Sequence, residues 1–385
     1  MLDLKKEISN NIAKIIPNTK LRKMDDNILE IREIGTGNIN YIYKIQYSDN
    51  ISIILKHAKE RARISKEIIL SPKRNHWEAN AMKICKKYND KFIPTVYLIN
   101  PHNSYFIMED LSDYTDLKVT LNNGNIVEYF IDNLKEYFEN VIQSIDKIKY
   151  EVDNMASAVN NNIDLINLTK RLVFEEPYIE STNNVHSKQN KDYIYHKLYT
   201  DKEVKKAVLE AKMIFESQKT TLIHGDLHTG SILISNEKKD IRIIDYEFAM
   251  IGPLSYDVGN LLAHFTMIYI YEEYKKNKKS KKGSGKFLNW ISDVIEFILS
   301  IINKNSYLDD NKIIRLSEMF SATEIIRRTI GLAKFYKMQD YPEEDKIILE
   351  KICISVGRKL LLEPGLFTDM TEYLDTILNI IKNSK

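Results

Sequence analysis

The sequence lacks the cysteine pairs that could form a structural framework. Only Cys85 and Cys353 occur among its 385 residues, and they lie far apart in the chain. This spacing gives no disulfide framework and no thiolate metal cluster. The cysteine usage therefore predicts a protein of the reducing cytoplasm.

The sequence also lacks a strong net charge and a long hydrophobic segment. The formal net charge is only +2, so neither a nucleic-acid footprint nor an acidic tail is indicated. The apolar segments NLLAHFTMIYIY and VIEFILSII fall well short of the ~20 residues that a membrane span needs. The opening segment MLDLKKEISNNIAKIIPN mixes charges into its apolar positions, unlike a signal peptide. We therefore predict neither a nucleic-acid partner nor a membrane partner.

What the sequence does contain is a change of pattern near Asp110. Before it, short β-branched and aromatic runs such as NYIYKIQY and ISIILKHA alternate with turn residues, and HWEANAMKICKKY has helical spacing. From Leu111 onward helical periodicity dominates. The pattern predicts an α+β fold: an antiparallel sheet with one main helix over residues 1–110, and a larger, mostly helical lobe over residues 111–385. The run KKNKKSKKGSGK, from Lys275 to Lys286, is predicted to be an exposed loop, with a polyanion-binding patch as the alternative.

The first candidate site is a glycine-containing hairpin. Gly35 and Gly37 lie between two predicted strands, so the segment is not a Rossmann fingerprint. Two glycines let the backbone fold over a ligand and offer N–H groups to phosphate, although an ordinary tight hairpin is an equal alternative. Lys56 on the next strand and Glu78 on the following helix match the way kinases hold the phosphates of ATP. A surface position for Lys56 is the alternative.

The segment IMEDL ends the predicted sheet and begins the helical part. This is the position of a hinge at which adenine would meet the backbone. The complete set of predicted nucleotide-binding residues is Gly35, Gly37, Asn38, Asn40, Lys56, Glu78, Glu109, Asp110 and Leu111.

The second candidate site is LIHGDLHTGSILIS, which contains His224, Asp226, His228 and Ser231. Zinc binding by the histidines lacks a third and a fourth ligand at workable spacing. A hydrolase using Ser231 lacks the G-x-S-x-G elbow. The segment is instead followed by a strand, a charged turn and IRIIDYEF, which together are typical of the catalytic loop and metal loop of a kinase.

The residue types in this pair of loops match phosphoryl transfer. Asp226 can accept the proton of an attacking hydroxyl. Asp245 and Glu247 are hard oxygen ligands suited to Mg²⁺ between phosphates. We predict that Asp257 and His224 brace the catalytic loop, and we assign no role to His228.

The segments LIHGDLHTGSI and IGPLSYDVGN resemble the aminoglycoside phosphotransferase and choline kinase superfamily. In detail the chain resembles the 5-methylthioribose kinase family, also in EIGTGNINYIYKI, FIMEDLS, TKRLVFEEPYIE and EIIRRTIGLAK, so the resemblance covers nearly the whole chain. Most of the superfamily has asparagine where this chain has Ser231, whereas that family has serine. The resemblance implies a two-lobed, protein-kinase-like fold with its site in the cleft between the lobes.

The resemblance also implies an activity and a set of roles. The activity is ATP-dependent phosphorylation of the C1 hydroxyl of 5-methylthioribose to 5-methylthioribose 1-phosphate, a step of methionine salvage, by a homodimer. Asp226 would deprotonate the hydroxyl, and Arg327 and Arg328 would reach both the sugar and the transferred phosphoryl group. The implied metal ligands are Asp245, Glu247 and Ser231. Because a hydroxyl is a poorer ligand than an amide, Glu247 would take over part of the coordination.

Alternatives remain at this point. An unmatched arginine pair is more often a solvated helix face. Within the superfamily, the substrate could instead be an aminoglycoside, choline, homoserine or a related sugar. A catalytically silent nucleotide-binding protein belongs to another class, and the set of Lys56, Glu78, Asp226, Asp245 and Glu247 speaks against it.

The sequence departs from the family pattern at two places. The family reads Asp-Pro-Glu where this chain has Tyr246 between Asp245 and Glu247, so the fixed φ of proline is lost. The family usually has a tryptophan-proline pair where this chain has Ile68 and Ile69. Substrate preference is therefore less firmly predicted than reaction class.

Overall fold

A computed structural model describes most of the chain. The described residues are 28–34, 39–47, 51–61, 68–154, 162–279, 285–301, 310–365 and 370–384. Gly35, Gly37 and Asn38, three of the predicted nucleotide-binding residues, lie outside them. The remaining predicted site residues can all be located.

The N-terminal part is built on an antiparallel sheet. Its strands are β1 Ile28–Ile34, β2 Tyr41–Tyr47, β3 Ser52–His57, β4 Val96–Asn100 and β5 Tyr105–Glu109. They are ordered β1-β2-β3-β5-β4, with each neighbouring pair antiparallel. β-Branched and aromatic residues dominate these strands, as expected for a pleated and largely buried surface. The predicted antiparallel sheet is confirmed.

One helix, α1 Arg74–Tyr88, contacts this sheet. Successive side chains of a strand point to opposite faces, so Ile53 and Leu55 join a cluster on one face while Ile54 packs into the main core on the other. Lys56, two residues after Ile54, therefore faces the same side as the main core. This alternation directs the Lys56 side chain toward α1.

The rest of the chain is mainly helical. The helices are α2 Leu117–Asn122, α3 Phe130–Gln143, α4 Ile145–Asn154, α5 Ile163–Thr169, α6 Lys191–Ile194, α7 Lys202–Ser217, α8 Leu254–Lys279, α9 Gly285–Ser300, α10 Asp310–Ile330, α11 Glu343–Leu362 and α12 Met370–Asn383. The largest helix interfaces join α10 to α8 and to α11. The predicted α+β architecture is confirmed, whereas the domain boundary at Asp110 stays a prediction.

Short strands in this part carry the two loops of interest. They are β6 Thr115–Asp116, β7 Thr221–Ile223, β8 Ile232–Ser235, β9 Asp240–Ile243 and β10 Met250–Gly252. β8 pairs with β6 and β9, and β7 pairs with β10. The catalytic loop therefore runs from β7 to β8, and the metal loop from β9 to β10.

Two surface and composition predictions can be compared with the described residues. α8 continues to Lys279 and α9 begins at Gly285, so the loop prediction is wrong at both ends of the basic run, which agrees with the good helix propensity of lysine. Residues 280–284 of the run lie outside the described residues. Cys85 and Cys353 are both buried free thiols. Over the described ranges, none of the helices combines the length and the apolar character needed to cross a membrane.

Candidate active site

Lys56 lies between two carboxylates from different elements. Its Nζ is 2.6 Å from Oε1 of Glu78 on α1, and it also pairs with Asp245, which follows β9. Burial alone would lower the pKa of Lys56, but the charges of Asp245 and Glu78 outweigh it and raise this pKa. Burial raises the pKa of Glu78 to about 7, despite the opposing effect of Lys56. The sheet, α1 and the metal loop thus meet at one buried lysine.

The metal loop turns sharply at Asp245. This residue has φ of 73°, in the left-handed region that costs energy for a residue other than glycine. Its side chain is half-exposed, and the following 3-10 turn, Tyr246–Phe248, buries Glu247. Burial and the charge of Asp245 raise the pKa of Glu247. Two carboxylates therefore lie next to each other beside Lys56.

The catalytic loop is held against the metal loop by its backbone. Gly225 has φ of 82°, and a Cβ atom there would lie 2.1 Å from the carbonyl oxygen of Phe248, so only glycine is accommodated. The carboxylate of Asp257 on α8 accepts the N–H groups of His224 at 2.6 Å and of Gly225 at 2.9 Å. The predicted bracing role of Asp257 is confirmed.

His224 connects the same two loops through its ring. Its Nε2 is 2.8 Å from the carbonyl oxygen of Ile244, and its Nδ1 accepts the N–H of Asp226 at 3.2 Å. These partners require the proton on Nε2. Burial lowers the pKa of His224 to about 4, so the ring is neutral at pH 7. His224 therefore supports the loop, as predicted.

Asp226 has a basic side chain beside each of its carboxylate oxygens. Its Oδ1 accepts from Nη2 of Arg327 at 2.8 Å and from Nη2 of Arg328 at 3.3 Å. Nε2 of His228 lies 3.4 Å from Oδ2. Burial would raise the pKa of Asp226, but His228 and the arginines hold it well below its usual value. Asp226 is therefore an ionised carboxylate.

Glu324, which was not predicted from the sequence, organises the arginine pair. Glu324 is fully buried on α10, and its Oε1 accepts from Nε of Arg328 at 2.7 Å and from Nη2 of Arg327 at 3.1 Å. The i, i+3 and i, i+4 spacing in EIIRR was the available indication. Only about a tenth of each arginine side chain is exposed, which excludes the solvated helix face.

Comparison with known proteins identifies the family. Residues 158–273 match the model of the "Phosphotransferase enzyme family". The methylthioribose kinases of Bacillus cereus (strain AH187) and Bacillus thuringiensis (strain Al Hakam) are each 30% identical over 348 residues, covering 86% of this chain and 86% of the relative. This chain belongs to the methylthioribose kinase family. The protein is therefore a kinase.

Solved structures with a similar outline are more distant from this kinase. An ethanolamine kinase of Plasmodium vivax is 15% identical, with a TM-score of 0.47 over 92% of this chain and 86% of that one. The choline kinase LicA of Streptococcus pneumoniae is 12% identical, with a TM-score of 0.43 over 99% of each chain.

Ser231 of this kinase lies inside the catalytic loop. Its hydroxyl accepts the N–H of His228 at 2.9 Å and contacts the His228 carbonyl oxygen at 2.8 Å. The side chain is buried and closes the turn. A metal-binding role for Ser231 stays a prediction.

The residues of the predicted adenine hinge form hydrogen bonds and an ion pair with other residues of the protein. Asp110 pairs with Lys44 at 2.8 Å, and Oε2 of Glu109 accepts the N–H of Thr95 at 3.0 Å. Leu111 is buried, and its carbonyl oxygen accepts the N–H of Tyr114 at 2.9 Å. The carboxylates are thus engaged within the protein, and nucleotide binding by this segment stays a prediction.

The two isoleucines that replace the family's tryptophan-proline pair have different environments. Ile68 packs against a cluster that includes Ile39 and Phe248, close to the metal loop. Ile69 is two-thirds exposed and forms a β-bridge with Arg61. This kinase therefore presents an exposed aliphatic side chain at the bridge to Arg61.

The buried His264 of α8 makes the free energy of unfolding depend on pH. Burial lowers its pKa to about 3, against 6.5 for an ordinary histidine. The unfolded chain therefore binds a proton below pH 6.5 that the folded chain does not, and stability is lost as the pH falls. Relative to His264→Gln, the wild type should lose about 1 kcal/mol in free energy of unfolding over the first pH unit below 6.5, approaching about 1.4 kcal/mol for the next unit.

Urea denaturation at pH 6.5 and about one unit lower measures this difference. His102→Gln, in an exposed turn between β4 and β5, controls for the loss of an imidazole at the surface. Equal pH dependence in the wild type and His264→Gln would contradict the buried, neutral assignment of His264.

Proposed function

We propose that the protein transfers the γ-phosphoryl group of ATP to the C1 hydroxyl of 5-methylthioribose, giving 5-methylthioribose 1-phosphate and ADP in methionine salvage. The observation that carries the proposal is the ionised Asp226 held by Arg327 and Arg328 on α10. The relatives named methylthioribose kinase support the substrate. The roles proposed below for individual residues follow from the geometry of this site.

Asp226 would act as the general base. Both arginines contact Oδ1, whereas Nε2 of His228 lies 3.4 Å from Oδ2. Oδ2 is therefore the less engaged oxygen and would accept the hydroxyl proton. As that proton leaves, the C1 oxygen bonds to the γ-phosphorus, and the bond from phosphorus to the β,γ-bridging oxygen breaks. The electron pair of that bond departs with ADP. Charge and atoms balance without a further reactant.

Arg327 and Arg328 would orient the sugar and neutralise developing charge. Each guanidinium group presents several donors in a fixed plane, which suits sugar hydroxyls and phosphoryl oxygens alike. Glu324 holds both groups by hydrogen bonds, so little reorganisation is needed when the substrate binds. Catalysis of phosphoryl transfer depends chiefly on such positioning.

Lys56 would bind the α- and β-phosphates while Glu78 keeps it in place. Asp245 and Glu247 beside this lysine provide two carboxylates, a donor set that fits a divalent cation bound together with phosphates. Burial and the charge of Asp245 raise the pKa of Glu247. Asp245 and Glu247 would hold Mg²⁺, which uses one or two carboxylates together with substrate phosphates and waters. When bound, Mg²⁺ neutralises charge on the phosphates.

Several related proposals rest on the family resemblance and on composition. They are the use of ATP with Mg²⁺, the homodimer, the cytoplasmic location and the division into lobes at Asp110. The alternative of another small hydroxylated substrate is kept. Two cations at the candidate site disfavour choline, because a quaternary ammonium group is recognised by aromatic faces.

A substrate panel tests the proposed reaction. We expect ADP release with 5-methylthioribose to exceed that with ribose by on the order of 10- to 200-fold in kcat/KM, because an apolar methylthio group gives discrimination of this size. Choline, homoserine and kanamycin should give no turnover above background. A coupled ADP-release assay measures each rate. Turnover of another member with 5-methylthioribose inert would reject the substrate and retain the kinase.

A further inference from the structure

A buried arginine at the start of α1 is not used by the mechanism above. Arg74 is 1% exposed. Its Nε donates to Oδ1 of Asn40 at 3.1 Å, and its Nη1 donates to the carbonyl oxygens of Lys59 at 2.9 Å and Ser71 at 3.1 Å. One guanidinium group thereby ties together the end of the glycine-containing hairpin and the chain on both sides of residues 62–67.

The contact between Arg74 and Asn40 fixes the orientation of an amide. Because Nε–H of arginine can only donate, the oxygen of the Asn40 side chain must face it. The amide nitrogen then points the other way, where it donates to Oε2 of Glu247 at 2.6 Å. Asn40 and Glu247 are both buried, so water does not replace these contacts easily.

The main chain around Glu247 is held from the opposite side. Nδ2 of Asn162 donates to the carbonyl oxygens of Glu247 at 3.0 Å and of Ala249 at 2.7 Å. Asn162 thus fixes the backbone of the metal loop, whereas Asn40 fixes the carboxylate. The contact to Oε2 leaves the second oxygen of Glu247 for a cation.

We propose that Arg74 is a positioning residue that orients Asn40 and, through Asn40, presents the Glu247 carboxylate to the metal of the bound nucleotide. This rests on the proposed function only in that the protein binds ATP with Mg²⁺. Asn40 immediately precedes β2 and Glu247 lies in the metal loop, so the relay joins the N-terminal sheet to the metal loop. Removing a residue that hydrogen-bonds a metal ligand changes metal affinity by roughly 10- to 100-fold.

The test is a double-mutant cycle with Arg74→Gln and Asn40→Ala, without any sugar. Thermal shift at fixed ATP is recorded while Mg²⁺ is titrated, and the Mg²⁺ midpoint is compared. Each single variant should raise the midpoint by about 10- to 100-fold. The double variant should raise it no further than the larger single effect, because both act through one contact. Lys83→Gln, exposed on α1, is the matched control and should leave the midpoint unchanged.

The outcomes separate this inference from the proposed function. Unchanged midpoints in the single variants, or fully additive effects in the double variant, would overturn the relay. If Arg74→Gln does not fold, the smaller Asn40→Ala and the conservative Arg74→Lys give the same comparison, since lysine cannot reproduce the planar fork. A protein that binds ATP with Mg²⁺ but does not phosphorylate 5-methylthioribose would reject the substrate and leave the relay standing. A wild type that shows no ATP-dependent shift would overturn both.

Discussion

Asp226→Asn should reduce kcat by about 10²- to 10⁴-fold, the usual contribution of a general base, while leaving ATP binding unchanged. Asparagine has the shape of aspartate, and its oxygen can still accept the hydrogen bonds of Arg327 and Arg328. It cannot accept the proton of the attacking hydroxyl. The effect therefore isolates the proton transfer from the geometry of the loop.

Steady-state ADP release gives kcat, and thermal shift with ATP reports nucleotide binding. Asp201→Asn is the matched control, because Asp201 caps α7 and pairs with Arg358 away from the catalytic loop. It should affect stability alone. Retention of more than a few per cent of wild-type kcat in Asp226→Asn would remove Asp226 from the role of base.

Arg327→Ala should lower kcat by about 10²- to 10³-fold, the range found when one preorganised donor to a developing charge is removed. Arg327 contacts both Asp226 and Glu324, so its loss removes a donor to the transferred group and one of the cations that keeps Asp226 ionised. In the proposed function, ATP is bound by Lys56 and not by Arg327. The thermal shift that ATP produces should therefore be little changed in Arg327→Ala.

Arg315→Ala provides the control on the same helix. Arg315 lies on α10 but pairs with the half-exposed Glu210, at 2.8 Å, rather than with the site. A surface pair of this kind contributes little to stability, so both kcat and folding should be retained. If Arg327→Ala has wild-type kinetics, the arginine pair has a structural role only.

The N-terminal sheet and the ion pair of Lys56 with Glu78 were predictable because their information is local. Alternating β-branched residues define the strands, and a lysine two positions after Ile54 must face the same side as the core. The pairing then requires only that α1 packs on that face. The two loops carrying Asp226 and Asp245 are likewise short segments between recognisable strands.

The contacts that support the site residues were harder to predict from the sequence. Nucleotide binding by Asn40 stays a prediction, but the position of its side chain between Arg74 and Glu247, a partner 207 positions away in the chain, could not be predicted. Glu324 was missed because its role depends on which face of α10 points inward. These contacts arise from tertiary packing, which the helical or strand period of one segment does not specify.

The buried cysteines have a practical consequence for measuring motion in this kinase. Burial raises the pKa of both Cys85 and Cys353 to about 12, so neither is a thiolate at neutral pH. Alkylating reagents attack the thiolate and need access to sulfur. A single cysteine introduced on the surface, for example at the exposed Ile69, would therefore accept a fluorophore selectively. Neither native cysteine would then compete with the introduced cysteine for the label.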